Sequence, residues 1–188
     1  MDILEEIVAH KRVEIDERKR FVPLQQFTGA IQQMMDEGKP ASMSEALTSS
    51  ATGIIAEFKR KSPSKGWIHR DVKPQEVTPL YQSNGASALS ILTDTQYFGG
   101  YDEYIQQARQ AGVTIPILYK NFIIDEYQLF QARFCGASAV LLIAPPASPR
   151  TNASTCSTWP TSLAWRPCWR CTTTAISTTP RWSPTCMA

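Results

Sequence analysis

The sequence predicts an α/β fold built on parallel strands, and three observations carry that prediction. From Ile54 to Ile143, short apolar segments alternate with segments of helical periodicity. The apolar segments are too short for helices and are rich in β-branched residues. Each strand-plus-helix unit runs about 30 residues, the length of a right-handed crossover between parallel neighbours. An open doubly wound sheet and a (β/α)8 barrel share this pattern. No Gly-x-Gly-x-x-Gly follows any strand, which weighs against the dinucleotide-binding form of the first.

The elements follow in order. Asp2 to Arg20 reads as an amphipathic helix, with Ile3, Leu4, Ile7, Val8 and Ile15 near one stripe. Its charges, Lys11 and Arg18 among them, read as a solvated face. They interleave acids with bases, which argues against nucleic acid. Pro23 opens a second helical pattern through Leu24, Phe27, Ile31, Met34 and Met35, and Gly38-Lys39-Pro40 closes it. Ser42-x-x-Glu45 has the form of a capping box. Strands are expected at Ile54–Phe58, Ala86–Leu92, Ile115–Leu118 and Ala137–Ile143. Between them lie helices over Pro74–Asn84, Tyr101–Ala111 and Asp125–Phe134, each followed by a glycine.

Bulk properties exclude several function classes. A chain of 188 residues can bury one substantial core. A net charge of +2 calls for neither nucleic acid nor an anionic membrane. No apolar run approaches the roughly 20 residues of a membrane span. The acidic start Met1-Asp2-Ile3-Leu4-Glu5-Glu6 has no signal-peptide core, so a cytoplasmic location is the expectation.

In either architecture ligands bind at the C-terminal ends of the strands. The first end carries Glu57, Lys59 and Ser62. Alternation puts Glu57 and Lys59 on one face, opposite Phe58. A carboxylate and an ammonium there suit acid/base or substrate-clamping work, and a surface ion pair is the plainer reading. The second end carries Thr93, Asp94 and Tyr97-Phe98-Gly99-Gly100. The third carries Lys120, Asn121 and Phe122, and the fourth nothing polar. Apolar residues flank Lys120 on both sides, and desolvation of that kind favours proton donation. The plainer reading is a lysine snorkelling to water. Lys59, Arg60, Lys61 and Lys65 cluster around Ser62 and Ser64, either as a phosphate or carboxylate site or as a solvated basic loop. His10 and His69 lack partners at metal-ligand spacing and read as surface residues; no metal is expected. Cys135 reads as a buried structural thiol.

These residues spell a pattern that closely resembles indole-3-glycerol phosphate synthases. The resemblance rests on Ile55-Ala56-Glu57-Phe58-Lys59-Arg60-Lys61-Ser62-Pro63-Ser64-Lys65-Gly66, on Ser90-Ile91-Leu92-Thr93-Asp94, and on Tyr97-Phe98-x-Gly100. A fourth motif is Lys120-Asn121-Phe122-Ile123-Ile124-Asp125-x-Tyr127-Gln128. The resemblance runs from about Ile3 to about Ala144. It implies a (β/α)8 barrel with extra N-terminal helices, here about the first four βα units. It divides the chain into a helical extension over 1–50, half a barrel over 51–147 and a tail over 148–188. The implied reaction is the decarboxylating ring closure of 1-(2-carboxyphenylamino)-1-deoxyribulose 5-phosphate, with no cofactor. By resemblance Lys120 is the general acid, Glu57 orients it and assists dehydration, and Lys59 binds the substrate's anionic groups. Ser62, Phe98 and Phe122 line the pocket, the aromatics packing on the anthranilate ring. Asn121 departs from the family's usual Asp. An intact form is expected as a monomer or fused to a pathway enzyme. Phosphoribosylanthranilate isomerase, another phosphate-binding barrel, lacks the leading helices and the Lys-Arg-Lys-Ser-Pro-Ser-Lys-Gly run.

After Ala144 the resemblance stops. Thr151 to Ala188 contains no acid, Lys, Gly or Val, and has neither helical nor strand period. Cys168-x-x-Cys171 has no accompanying His, and its surroundings do not suggest zinc. A shifted reading frame accounts for the composition. Suitable synonymous codons for Thr155 to Thr173 can spell Leu-Leu-Asp-Leu-Ala-His-Gln-Leu-Gly-Met-Glu-Ala-Leu-Leu-Glu-Val-His-Asp. That string resembles the family's fourth helix and fifth strand, and its Leu-Glu-Val-His carries the family's other catalytic glutamate. On this reading the tail is expected to lack regular packed structure. The chain is expected to show little or no activity and to self-associate through exposed strand edges.

Overall fold

A computed structural model describes residues 3–36, 40–144 and 168–171. Three helices come first: α1 (Ile3–Phe21), α2 (Leu24–Asp36) and α3 (Met43–Ser49). Ser42 caps α3 by accepting from the Glu45 N–H, one half of the expected capping box. The alternating part then runs β1 (Ile55–Phe58), hairpin strands β2 (Lys61–Ser62) and β3 (Gly66–Trp67), α4 (Pro74–Ser83) and β4 (Ala88–Leu92). It continues with α5 (Thr95–Phe98), α6 (Glu103–Gln110), β5 (Ile117–Lys120), α7 (Tyr127–Phe134) and β6 (Ala139–Ala144). Pro74 opens α4, where a missing N–H costs nothing.

The main sheet has the order β1-β4-β5-β6, every pair parallel, with β7 (Cys168–Cys171) parallel to the outer edge of β6. Each strand is added on the same side of the last. A doubly wound sheet reverses direction at a switch point, and none occurs among these strands. Laterally paired residues in a parallel sheet share a face. Phe58, Leu89, Ile91, Ile117, Tyr119, Val140 and Leu142 therefore form one surface. It packs against Tyr104, Ile105 and Ala108 of α6, Leu129 and Ala132 of α7, and Val77 and Tyr81 of α4. All three crossover helices cover that one face. The opposite face, with Ala88, Leu118, Ala139 and Leu141, receives Met43 and Leu47 of α3. Strands wound sequentially, with helices outside and a separate apolar interior, are the winding of a (β/α)8 barrel.

Several expectations change in detail. Three strands begin two residues late, at Ala88, Ile117 and Ala139. The apolar run starts in the preceding turn, where Pro116 has no N–H to pair and Ser87 donates to the Ile54 carbonyl. The hairpin β2–β3 and the short α5 were not foreseen. The charged face of α1 is not simply solvated: Lys11 is buried beside Ile7 and Ile15. In the tail, Cys168–Cys171 forms a strand where none was expected. The edge of β6 offers unpaired backbone groups to any extended segment, whatever its side-chain pattern. The shifted-frame reading places the family's fifth strand over these same codons; the rest of 148–188 lies outside the described residues. Among the described residues no helix is long and apolar enough to cross a membrane.

Candidate active site

The first and third strands of the alternating part supply the charged centre. In register, Glu57 of β1 lies beside Ser90 of β4, and Ser90 beside Leu118 of β5. Lys120 is two residues beyond Leu118 and so shares its face. Glu57, Lys59 and Lys120 thus project from one side, at the C-terminal ends of their strands. Lys120 donates to Glu57 Oε2 through a short bond, and the Lys59 ammonium lies 2.7 Å from Oε1. One carboxylate is clasped by two ammonium groups, one on each oxygen. Burial pushes the Glu57 carboxyl up, but the bonds from Lys120 and Lys59 outweigh it and hold the group below its ordinary range. All three side chains remain partly open, between 28% and 35% exposed.

The two expected aromatic residues meet each other. Phe98 of α5 and Phe122, just past β5, have ring centroids 6.0 Å apart at 39°. The position of Phe98 is set by Asp94, whose Oδ1 accepts from the Tyr97 N–H and starts α5. Gly100 ends this loop against β4. A Cβ there would drive into the Leu92 carbonyl oxygen, so only glycine fits. Ser62 stands apart from the charged centre: it sits in the β2–β3 hairpin, its hydroxyl accepting from the Lys65 N–H at 3.2 Å.

The basic cluster is split rather than gathered. Lys59 faces Glu57. Arg60, one residue on, turns to the helix side, where it bonds the Tyr104 hydroxyl and the Arg70 carbonyl and lies over the Trp67 ring. Lys61 donates to the Gln96 carbonyl at 2.9 Å, tying the hairpin to α5. Lys65 is exposed. His10 and His69 are exposed as expected, and Cys135 is buried, which pushes its thiol up and keeps it protonated.

Two groups of residues were missed. Lys11 reaches Asp94 from α1, and Arg18 on the same helix pairs with Asp102, the residue preceding α6. Their signal was present: Ile7, Lys11 and Ile15 recur every four residues along the buried stripe. The second is a buried chain of hydrogen bonds behind Lys120. Asp102 accepts from Arg18, Gln131 and the Tyr119 hydroxyl. Burial pushes the Asp102 carboxyl up, while Arg18 and Tyr119 pull it back. Burial and Asp102 also raise Tyr119, which keeps its proton and donates it. The Tyr119 oxygen then accepts from Asn121 Nδ2 at 3.1 Å. The same Nδ2 reaches Thr93 Oγ1 at 2.9 Å, while Asn121 Oδ1 receives the Phe122 N–H at 2.8 Å. Both amide hydrogens and the carbonyl oxygen of Asn121 are engaged.

Comparison with known proteins meets this geometry. The family model described as indole-3-glycerol phosphate synthase matches residues 4–153. A protein of that name from Bacteroides thetaiotaomicron is 54% identical over 145 residues, covering 76% of this chain and 54% of its own length. One from Neisseria meningitidis serogroup C is 42% identical over 156 residues, covering 76% of this chain and 55% of its own. A serogroup B counterpart is 44% identical over 148 residues. The chain therefore spans about half the length of the curated relatives it matches. An outward-helix parallel sheet wound in sequence, a doubly clasped glutamate at its strand ends and a family match over residues 4–153 place this chain in the indole-3-glycerol phosphate synthase family.

Proposed function

We propose that this chain supplies the general acid and the anion clamp of an indole-3-glycerol phosphate synthase. The reaction closes a pyrrole ring on 1-(2-carboxyphenylamino)-1-deoxyribulose 5-phosphate. The ring carbon bearing the carboxylate attacks the ketone carbon, and the ketone oxygen takes up a proton. CO2 then leaves, and water departs from the new carbinol to give indole-3-glycerol phosphate. The observation that carries this reading is the pair of lysines on opposite oxygens of Glu57. Lys120, half-buried at its strand end, is the donor to the ketone oxygen. Glu57, kept ionised by its two partners, holds Lys120 in place and is the nearest base for the dehydration. Lys59 releases Glu57 to meet an anionic group of the substrate. The paired rings of Phe98 and Phe122 pack on its aromatic ring. Ser62, on the hairpin, adds a hydroxyl to the rim.

The relatives are about twice as long, and we infer that the 188-residue chain alone has little or no turnover. The test is an assay for indole-3-glycerol phosphate with this chain and with one whose reading frame is restored over the tail. The restored chain should turn over, and Lys120→Met should lower its kcat by about 10²–10⁴-fold. Full turnover by the Lys120→Met enzyme would remove the general-acid assignment. Sequencing the coding DNA around positions 145–155 decides whether the tail is read in the shifted frame.

A further inference from the structure

At the other end of the strands sits a pair of arginines with no counter-charge among the described residues. Arg133, in the last turn of α7, is 5% exposed, and its Nε has no hydrogen-bond partner among the described residues. Arg109 of α6 is its neighbour and is nearly saturated. Its Nε donates to Gly136 O at 3.1 Å, Nη1 to Val113 O and Ile115 O at 2.9 and 2.8 Å, and Nη2 to Ser138 Oγ at 3.1 Å. A guanidinium has five N–H groups, so one on Nη2 is left. No ion pair involves either arginine among the described residues. Burial and the Arg133 charge bring Arg109 down to about 10, and burial alone lowers Arg133.

Both line a cleft of about 580 Å³ whose wall includes Met34 of α2, Gln106 of α6, Thr114 and Ser138. Thr114 and Ser138 precede β5 and β6, so the cleft opens at the N-terminal ends of the strands. The Glu57–Lys120 centre is at their C-terminal ends. Two like charges on one desolvated wall are unfavourable unless a negative group joins them. A planar guanidinium fork matches two oxygens of an oxyanion.

We propose that this cleft binds a small oxyanion of the phosphate or carboxylate class, held by Arg133 and the remaining Nη2 hydrogen of Arg109. The site is independent of the synthase reading and lies away from its reacting groups.

The test is calorimetric titration of the full chain with inorganic phosphate at constant ionic strength, chloride making up the balance, with acetate as the carboxylate probe. Phosphate should bind saturably and acetate should compete with it. Arg133→Gln should weaken phosphate at least tenfold. Gln106→Glu, which leaves both arginines and places a carboxylate in the cleft, should do the same. Arg12→Gln, exposed on α1 and outside the cleft, should leave the affinity within twofold. Absence of saturable binding, binding unchanged in both cleft variants, or binding lost with Arg12→Gln alone would each overturn the site. A synthase inactive in every form would leave these titrations unaffected, so the two readings fail separately.

Discussion

The Lys11 ammonium of α1 lies 2.8 Å from Asp94 Oδ2, and both side chains are 1% exposed. The contact is an ion pair rather than a well-angled hydrogen bond, since that oxygen has no hydrogen-bond partner among the described residues. Lys11 also donates to Glu14 at 2.7 Å, and Asp94 caps the helix that carries Phe98. The N-terminal helix is thereby fixed to the loop that presents an aromatic wall of the site. Removing one partner of a buried pair leaves the other charge uncompensated. Lys11→Met should lower unfolding free energy by about 3 kcal/mol in urea titration. Arg12→Met, one residue on and exposed, should change it by no more than about 0.5 kcal/mol.

Asn121 should not tolerate the family's usual aspartate in this setting. Its Nδ2 donates to Thr93 and to the Tyr119 oxygen, whose own proton is committed to Asp102. An ionised carboxylate in its place has no hydrogen to give and would face the Tyr119 oxygen with another oxygen. Asn121→Asp should cost about 1–3 kcal/mol at pH 7. Burial would raise the new carboxyl in the folded state. A raised acid leaves stability intact below its unfolded value and loses it as pH rises through the folded value. The deficit should therefore shrink at pH about 4 and grow towards neutrality. A deficit that is constant across that range in thermal melts would show that the donor count does not govern this position.

The Glu57 carboxyl predicts the opposite pH response. Its folded value lies below the ordinary 4.5, because Lys120 and Lys59 outweigh the effect of burial. Its stabilising contribution is present above 4.5 and is lost as pH falls through the lower folded value. In melts from neutral pH into the acid range, Lys120→Met should flatten the acid limb relative to the parent chain. Glu57→Gln should flatten it further, and combining the two should add nothing beyond Glu57→Gln.

Gly100 offers a purely steric test. A Cβ at that position meets the Leu92 carbonyl, and backbone cannot move aside as a flexible side chain can. Gly100→Ala should destabilise the chain by about 3 kcal/mol. Gly29, where an added Cβ would meet nothing within 4 Å beyond its own helix backbone, should accept alanine without loss and serves as the control.

How much of this was legible depends on range. Period-two alternation correctly put Glu57 and Lys59 on one face and Phe58 on the other, because that rule is local. The same rule also split Arg60 from Lys59, a consequence overlooked when the four basic residues were read as one cluster. Pro74 and the glycines after the helices marked ends because their backbone limits are intrinsic. Lys11 was misread because charge outweighed position: it sits on the apolar stripe, and its partner Asp94 is far along the chain, beyond β4. The Arg18–Asp102–Tyr119–Asn121 chain was invisible for the same reason, since its links join α1, the turn before α6 and β5. Strand starts shifted because apolar composition continues through turns, whereas pairing needs a free N–H. The tail strand had no signal of its own; it exists because β6 presents an edge.

The bond between Glu57 and Lys120 bridges 63 residues, with β4 between their strands. During synthesis the carboxylate emerges long before its second ammonium, roughly 3–12 s earlier at ordinary elongation rates. Throughout that interval Lys59 is the one of the carboxylate's two final partners already made, and the second hand of the clasp waits for the third barrel strand.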